Sequence, residues 1–166
     1  WDKTYGGIGD DYAESVVQTS DEGYALAGIT NSFGAGREDF WLVKTDSSGE
    51  MLWSKTFGGA GLDWAHSVVQ TNDGGYLLAG VTNSSVASSY DALLVKTDSA
   101  GNMQWNRTYG GTNYEEARSL VRTSDEGYAF AGSTSSYGAG DHDFWLVKID
   151  SSGNVQWNKT YGGPST

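Results

Sequence analysis

The chain repeats itself, and this repetition constrains its fold more than any other feature. Near-copies of the motif Trp-x-Lys/Arg-Thr-Tyr/Phe-Gly-Gly recur at intervals of 52 residues, beginning at Trp1, Trp53, Trp105 and Trp157. The 166-residue chain is therefore one repeat domain with three full repeats and an extra terminal strand, bounded at 1–52, 53–104, 105–156 and 157–166. A period near 50 residues is typical of arrays in which each repeat is one supersecondary unit.

Each repeat has the pattern of four short strands, and the first repeat shows it well. Glu14–Thr19 is predicted as a short inner strand, and Tyr24–Thr30 is apolar on both faces, as expected of a strand covered on both sides. Phe40–Thr45 and Met51–Phe57 flank the turn Asp46-Ser47-Ser48-Gly49. The 24 glycines and 13% aromatic residues suit short strands joined by tight turns.

The predicted fold is all-β, with three four-stranded antiparallel propeller-type blades of 52 residues and one extra terminal strand. A closed propeller normally has four to eight blades, so three blades leave such a ring incomplete. Either the chain is part of a longer protein, or it completes its architecture with copies of itself. A threefold β-trefoil or β-prism is the alternative fold, and it would close as a monomer.

Three stretches carry a resemblance to a known group of repeats, namely Trp1–Gly7, Asp39–Asp46 and Gln70–Tyr76. The repeat resembles the propeller-like Trp-x-Lys-Thr-Tyr-Gly-Gly repeats of uncharacterised exported prokaryotic, especially archaeal, surface proteins. Its strand–turn–strand unit is also similar to the blades of quinoprotein-type β-propellers, in which a Trp after the turn docks against the next blade. The resemblance implies a propeller-type fold and an extracellular or cell-surface location. It implies no reaction, cofactor or catalytic residue.

Composition disfavours several functional classes. A formal net charge of −11 would repel phosphates, so we expect no nucleic-acid partner. No segment has the apolar length of a membrane helix, and the absence of cysteine removes thiol chemistry. The two histidines, His66 and His142, stand at different repeat positions and suggest neither a zinc site nor a Ser-His-Asp set. We therefore predict a protein that is not an enzyme and has no organic cofactor.

Calcium is the one cofactor for which a motif exists. Gly6–Ala13 and Gly58–Ala65 match a calcium-binding nonapeptide pattern, whereas Gly110–Glu115 departs from it. A calcium β-roll needs such nonapeptides back to back, so a spacing of 52 residues excludes it. A separate calcium site in each repeat remains one interpretation, with the candidate ligands Asp11, Asp63 and Glu115. The favoured interpretation is a glycine-rich crossing whose acid accepts backbone hydrogen bonds.

Other candidate sites lie on strands and loops. Three N-glycosylation sequons have their acceptors at Asn83, Asn106 and Asn158. The loops 31–38, 83–90 and 135–142 differ most between repeats. Loops at one end of a rigid array are the usual place for binding, so contact with glycans or surface proteins is one interpretation, and drift of the loop sequences is the favoured one.

These observations lead to one functional hypothesis and one alternative. Trp53, Trp105 and Trp157 are expected to fill the outer-strand positions as anchors between sheets, which leaves Trp1–Gly7 without a position in its own chain. We expect Trp1–Gly7 to pair beside the Phe144 strand of a preceding copy, giving a ring or a filament. The hypothesis is a non-enzymatic extracellular repeat protein that acts in self-assembly, cell-surface structure or adhesion through strand exchange between copies. The alternative is a carbohydrate- or protein-binding module of a larger surface propeller protein.

Overall fold

The structure is a computed structural model that describes residues 2–84 and 89–164. Within these residues it contains twelve β-strands and no helix. The strands are β1 (Asp11–Gln18), β2 (Tyr24–Thr30), β3 (Asp39–Thr45), β4 (Met51–Phe57), β5 (Asp63–Gln70), β6 (Tyr76–Thr82), β7 (Asp91–Thr97), β8 (Met103–Tyr109), β9 (Glu115–Arg122), β10 (Tyr128–Thr134), β11 (Asp143–Ile149) and β12 (Val155–Tyr161).

Consecutive strands form three separate four-stranded antiparallel sheets, in the orders β1-β2-β3-β4, β5-β6-β7-β8 and β9-β10-β11-β12. This confirms the predicted all-β class and the three four-stranded sheets. Each sheet ends with the strand that carries the tryptophan of the next sequence repeat, so Trp53 belongs to the first sheet.

The inner strand of the first sheet begins earlier than predicted. β1 starts at Asp11 rather than Glu14, because Asp11 to Ala13 pair with Thr30 to Gly28. Glu14 then sits at a β-bulge, where the register shifts between Ala13 and Ser15. A bulge breaks the alternation of side chains, and this break hid the first half of the strand from a pattern of period two.

The turn between the third and fourth strand of each sheet follows the sequence prediction. Asp98 Oδ1 accepts the N–H groups of Ala100 and Asn102, and Gly101 has a positive φ of 77°. A Cβ atom at Gly101 would lie 2.7 Å from the ring of Trp53 in the preceding sheet. Glycine therefore serves both the turn and the close approach of the neighbouring sheet.

The middle sheet shows how the three sheets pack. Along β6, Tyr76 and Leu78 face the first sheet and belong to one core cluster. Leu77 and Ala79 point to the other side and belong to a second cluster with the third sheet. Both faces of the middle sheet are thus buried, as the doubly apolar pattern of this strand predicts.

In each sheet, a buried lysine of the third strand forms an ion pair with an aspartate in the turn between the first two strands. The pairs are Lys44–Asp21 at 2.9 Å, Lys96–Asp73 at 2.8 Å and Lys148–Asp125 at 2.9 Å. Each lysine also donates to the backbone carbonyl of the next residue. Hydrogen bonds from a threonine and from Lys44 lower the pKa of Asp21 to about 2.

The anchor tryptophans differ according to their place in the array. The Trp53 ring meets Tyr76 of the second sheet edge-on at 5.8 Å, and Trp105 packs against the second core cluster. Trp157 is 44% exposed because, among the described residues, no further sheet packs against it. The prediction of an anchor between sheets therefore holds for Trp53 and Trp105 and is wrong for Trp157 within one chain.

This difference predicts unequal effects of the same substitution. Trp105→Ala should lower the free energy of unfolding by about 3 kcal/mol, because it leaves a cavity between two packed sheets. Trp157→Ala is the matched control, and in a dilute monomer it should cost less than about 1 kcal/mol. Urea melts of the two variants measure both values, and equal losses would contradict this description of the packing.

Candidate functional site

Within residues 2–84 and 89–164, no sheet covers the outer apolar face of the last sheet, which we call the forward end. Four large apolar side chains of this face are exposed, namely Val121, Phe144, Trp157 and Tyr161. The residues at the same repeat positions in the first sheet, Val17, Phe40, Trp53 and Phe57, lie in or against the core cluster shared with the second sheet. The forward end is therefore an interface that is used twice inside the chain and left uncovered once.

Phe144 shows the contrast most clearly. Phe40, its counterpart in the first sheet, is 0% exposed, and its Cζ would lie 2.8 Å from a Cβ at Gly80 in the second sheet. Phe144 is 77% exposed although it stands in the same sequence context. The middle sheet has Ala92 at this position, so the repeat tolerates both a large and a small side chain there.

In the part of the chain that the structure describes, no other sheet covers the opposite face of the first sheet, which we call the rear end. Val16 is 63% exposed, and Tyr24 and Leu26 are half-buried. Their counterparts Val68, Tyr76 and Leu78 are buried against the preceding sheet, so here too a repeated interface lacks a partner. A groove of about 310 Å³ lies on this face, lined by Lys3, Tyr5, Val16, Tyr24, Leu26 and Thr45.

The N-terminal segment, residues 2–7, lies along the rear end. The Tyr5 hydroxyl donates to the carbonyl of Gly49 at 2.6 Å, and Lys3 pairs with Glu50. In the third sheet, the hydroxyl of Tyr109 of β8 donates to the carbonyl of Gly153 at 2.8 Å. Residues 2–7 therefore lie on the first sheet as β8 lies on the third sheet.

This placement corrects the expectation that Trp1–Gly7 has no position in its own chain. Residues 2–7 rest on the rear end without joining a sheet, and Trp1 lies outside the described residues. The edge of the Phe144 strand is already taken, because β11 pairs with β12 from Phe144–Tyr161 to Ile149–Val155. Pairing of Trp1–Gly7 at that edge would require the displacement of β12.

The three calcium candidates each bind donors of the protein itself. Asp11 Oδ2 accepts from the N–H of Gly7 at 2.8 Å and from Ser32 Oγ at 2.7 Å. Asp63 Oδ2 accepts from Gly59 and Ser84 in the same way, at 2.9 and 2.7 Å.

Glu115 repeats this arrangement with a longer side chain. It accepts from the N–H groups of Gly111 and Ser136 and from the Thr134 hydroxyl. Burial opposes its charge, but these hydrogen bonds outweigh burial and hold the pKa of Glu115 below its ordinary value. Among the described residues, no group of three or more histidine, aspartate or glutamate side chains is arranged to hold a metal ion. The geometry supports closure of the glycine-rich crossing as the role of these acids.

The sequon asparagines have different surroundings. Asn106 and Asn158 are exposed on the outer strands β8 and β12. Asn83 is half-buried, and its Oδ1 accepts the N–H of Leu62 at 2.6 Å. The third residue of its sequon, Ser85, lies outside the described residues, as do Val86, Ala87 and Ser88 of the loop 83–90.

Sequence reasoning missed a set of three polar residues on the inner strands. Glu14, His66 and Arg118 occupy the same repeat position, and each sits at the bulge of its inner strand. The signal was present in the repeat itself, because an alignment of the three inner strands shows unlike polar residues at one position within a motif that is otherwise kept.

The chain is similar to known proteins in part of its sequence and in its fold class. No family model matches the chain. Over 123 residues, 64% of its length, the chain is 28% identical to the regulatory protein FlaEY of Caulobacter vibrioides, and the matched part is 13% of that protein. A crystal structure of a protein of unknown function from Bacteroides caccae is similar, with 12% sequence identity and a TM-score of 0.46. The alignment covers 90% of this chain and 67% of the Bacteroides chain. The crystal structure of an ACO/RPE65 chimera aligns with the same sequence identity and TM-score, and the alignment covers 83% of this chain and 35% of the chimera.

A search for long apolar helices found none that could cross a membrane among the residues described here.

The hydrogen bonds of the three acids predict a weak response to calcium. We expect chelation followed by calcium addition to change the melting temperature by less than about 2 °C, because a ligand that does not bind the folded state cannot stabilise it. Thermal melts with a chelator, and then with excess calcium, measure this. A chelator-dependent drop of roughly ten degrees would show a structural calcium site instead.

Proposed function

We propose that this chain is a non-enzymatic, self-assembling repeat protein whose copies join end to end, with its sheets arranged as propeller-type blades. The observation that carries the proposal is the contact of Tyr5 with Gly49, which matches the contact of Tyr109 with Gly153. The rear end of the first sheet thus already binds a segment with the sequence of an outer strand. A whole sheet that carries such a strand, as the third sheet does, fits the same position.

The two ends have complementary chemistry for a second copy. The forward end offers Phe144, and the rear end offers Gly28, which stands at the repeat position of Gly80. In the internal junction, the phenyl ring of Phe40 packs over Gly80. We assign the same contact to Phe144 of one copy and Gly28 of the next, so that apolar surface exposed in the monomer is buried on assembly.

The contacts at the rear end favour a mechanism of assembly that differs from the strand exchange inferred from sequence. β12 of one copy and residues 2–7 of the next compete for the same place above the Gly49 turn. β12 is held by a full ladder to β11, whereas residues 2–7 are held on the rear end by few hydrogen bonds. Displacement of residues 2–7 therefore costs less than displacement of β12, and we propose packing of faces in place of strand exchange.

The closure of the assembly depends on the angle between blades. Two copies would give a ring of six blades, within the usual range of propellers, and a rotation that does not close would give a filament. Pairing only between neighbouring strands within each sheet favours propeller-type blades over a β-trefoil or β-prism. The partner we propose is a second copy of this chain.

An extracellular or cell-surface location, with a role in surface structure or adhesion, follows from the resemblance of the repeats to those of exported surface proteins. Exposed sequons at Asn106 and Asn158 are compatible with glycosylation there. The second candidate function is a carbohydrate- or protein-binding module of a longer protein. The match to FlaEY favours it in one respect, since the similar stretch is 13% of a much longer chain.

Phe144→Ala tests the proposed junction. The substitution should leave the fold unchanged, because the middle sheet has Ala92 at the same repeat position. It should weaken self-association at least about tenfold, as expected for the loss of a central aromatic contact. Light scattering over a concentration series, from dilute to tens of micromolar, measures the association.

The matched control is Leu52→Gln. Leu52 is also exposed, and the other two repeats have Gln104 and Gln156 at its position. The change removes apolar surface at a residue that is neither on the third sheet nor in the lining of the rear groove. Association should survive this substitution. A wild-type chain that remains a 17.7 kDa monomer at tens of micromolar would refute assembly of the chain with itself and would favour the module of a longer protein.

A further inference from the structure

The inner strands of the three repeats differ at two positions within a pattern that they otherwise share. Their sequences are Asp-Tyr-Ala-Glu-Ser, Asp-Trp-Ala-His-Ser and Glu-Glu-Ala-Arg-Ser, beginning at Asp11, Asp63 and Glu115. The first, third and fifth residues are acid, Ala and Ser in every repeat, whereas the second and fourth differ in charge and shape. A residue that occurs in all three repeats serves the shared fold, so the variable positions can contribute to a functional site that occurs once in the chain.

The bulges bring the variable residues into one electrostatic environment. Glu14, His66 and Arg118 each sit at the bulge of their strand. Burial lowers the pKa of His66, and the charges of Glu116, Arg118 and Glu14 also act on it. His66 Nε2 is buried and has no hydrogen-bond partner. An unpaired buried ring nitrogen is costly, so packing alone does not account for a histidine at this position.

A cavity of about 760 Å³ opens beside Arg118, which lines it together with Glu116, Tyr114 and His142. On its wall Glu116 is 4% exposed and accepts three hydrogen bonds. The donors are the Tyr114 hydroxyl at 2.9 Å, Arg118 Nε at 2.6 Å and Ser133 Oγ at 3.0 Å. The Arg118 side chain is 66% exposed at the cavity, while its partner carboxylate is fixed. The site thus combines a rigid acceptor with a donor that reaches solvent.

Aromatic rings follow one another along the same edge. Tyr114 contacts Tyr90 at 5.6 Å and His142 at 5.7 Å between ring centres, and Tyr90 contacts Trp64 at 6.3 Å. His142 Nδ1 lies 3.0 Å from Ser135 Oγ, which holds the ring beside the cavity. Rigid rings with a few fixed polar groups are typical of ligand sites.

We infer that this cavity is a binding site for a neutral sugar residue, centred on Glu116, Arg118, Tyr114 and His142, two of which, Glu116 and Arg118, also act electrostatically on His66. A sugar hydroxyl both donates and accepts, so it can pair with a carboxylate, a guanidinium and an imidazole in either tautomer. The C–H face of a pyranose packs on aromatic rings. Two carboxylates, Glu116 and Asp141, line the cavity beside one guanidinium, that of Arg118, and this balance disfavours an anionic ligand.

The histidines provide the readout, because His66 and His142 are the two histidines of the chain. Titration with glucose, galactose, mannose and N-acetylglucosamine, followed by the NMR resonances of the imidazole C–H protons, should give saturable shifts of both residues with at least one sugar. Spectra of the His142→Ala variant assign the two sets of resonances.

Two variants of exposed side chains test the contacts without disturbing the core. Arg118→Gln and His142→Ala should each weaken binding of that sugar at least about tenfold, as expected for the loss of a hydrogen bond to a charged group or of a ring contact. Arg122→Gln is the matched control. It changes an exposed arginine of the same strand that contacts Gln70 and Asn72 instead, and it should leave binding unchanged.

Three results would overturn the inference. The first is the absence of saturable shifts with every sugar of the panel. The second is sugar binding that both Arg118→Gln and His142→Ala leave unchanged. The third is saturable binding of inorganic phosphate at the same resonances, because it would show an anion site.

Discussion

Packing of one sheet face on the next is the interaction on which this structure depends. Each four-stranded sheet is apolar on both sides, so it buries its apolar surface completely only between two neighbours. The middle sheet has both, and its β6 strand is buried throughout. The outer two sheets have one neighbour each. The chain therefore carries two unsatisfied copies of its own interface, and the exposed Phe144 and the groove beside Tyr5 are the two sides of that interface.

The N-terminal segment partly compensates for the missing neighbour. Residues 2–7 contact the rear end as an outer strand of a neighbouring sheet would, for example through the hydrogen bond from the Tyr5 hydroxyl to the Gly49 carbonyl. They do not supply the inner three strands of a sheet, so Val16 stays exposed. This cap covers the end of the array in one chain and leaves apolar surface that a second copy can bury. The forward end has no comparable cap among the described residues, which explains the different exposures of Trp157 and Trp105.

The sequence predicts the strands and their grouping because these depend on local patterns. Alternation, the Asp-x-x-Gly turns and the period of 52 residues are all visible in it. Solvent exposure at the two ends does not depend on the local sequence. Asp-Phe-Trp-Leu-Val-Lys occurs at 39–44 and at 143–148, yet Phe40 is buried and Phe144 is exposed. The bulge at Glu14 was invisible for a related reason, since it depends on pairing with β2. The inner-strand site could have been found from sequence, because residues that differ among near-identical repeats are the natural candidates for a function that occurs once.

Removal of residues 1–7 tests the central claim most directly, because the account gives this segment one role at the rear end. If it occupies the place of an outer strand, the shortened chain should associate with itself at lower concentrations than the full chain, since β12 of another copy no longer meets a competitor. Light scattering of both chains over one concentration series, with circular dichroism to confirm that the β-structure is retained, provides the comparison. Tighter association of the folded, shortened chain is the predicted result. Association that is unchanged or weaker would contradict the account.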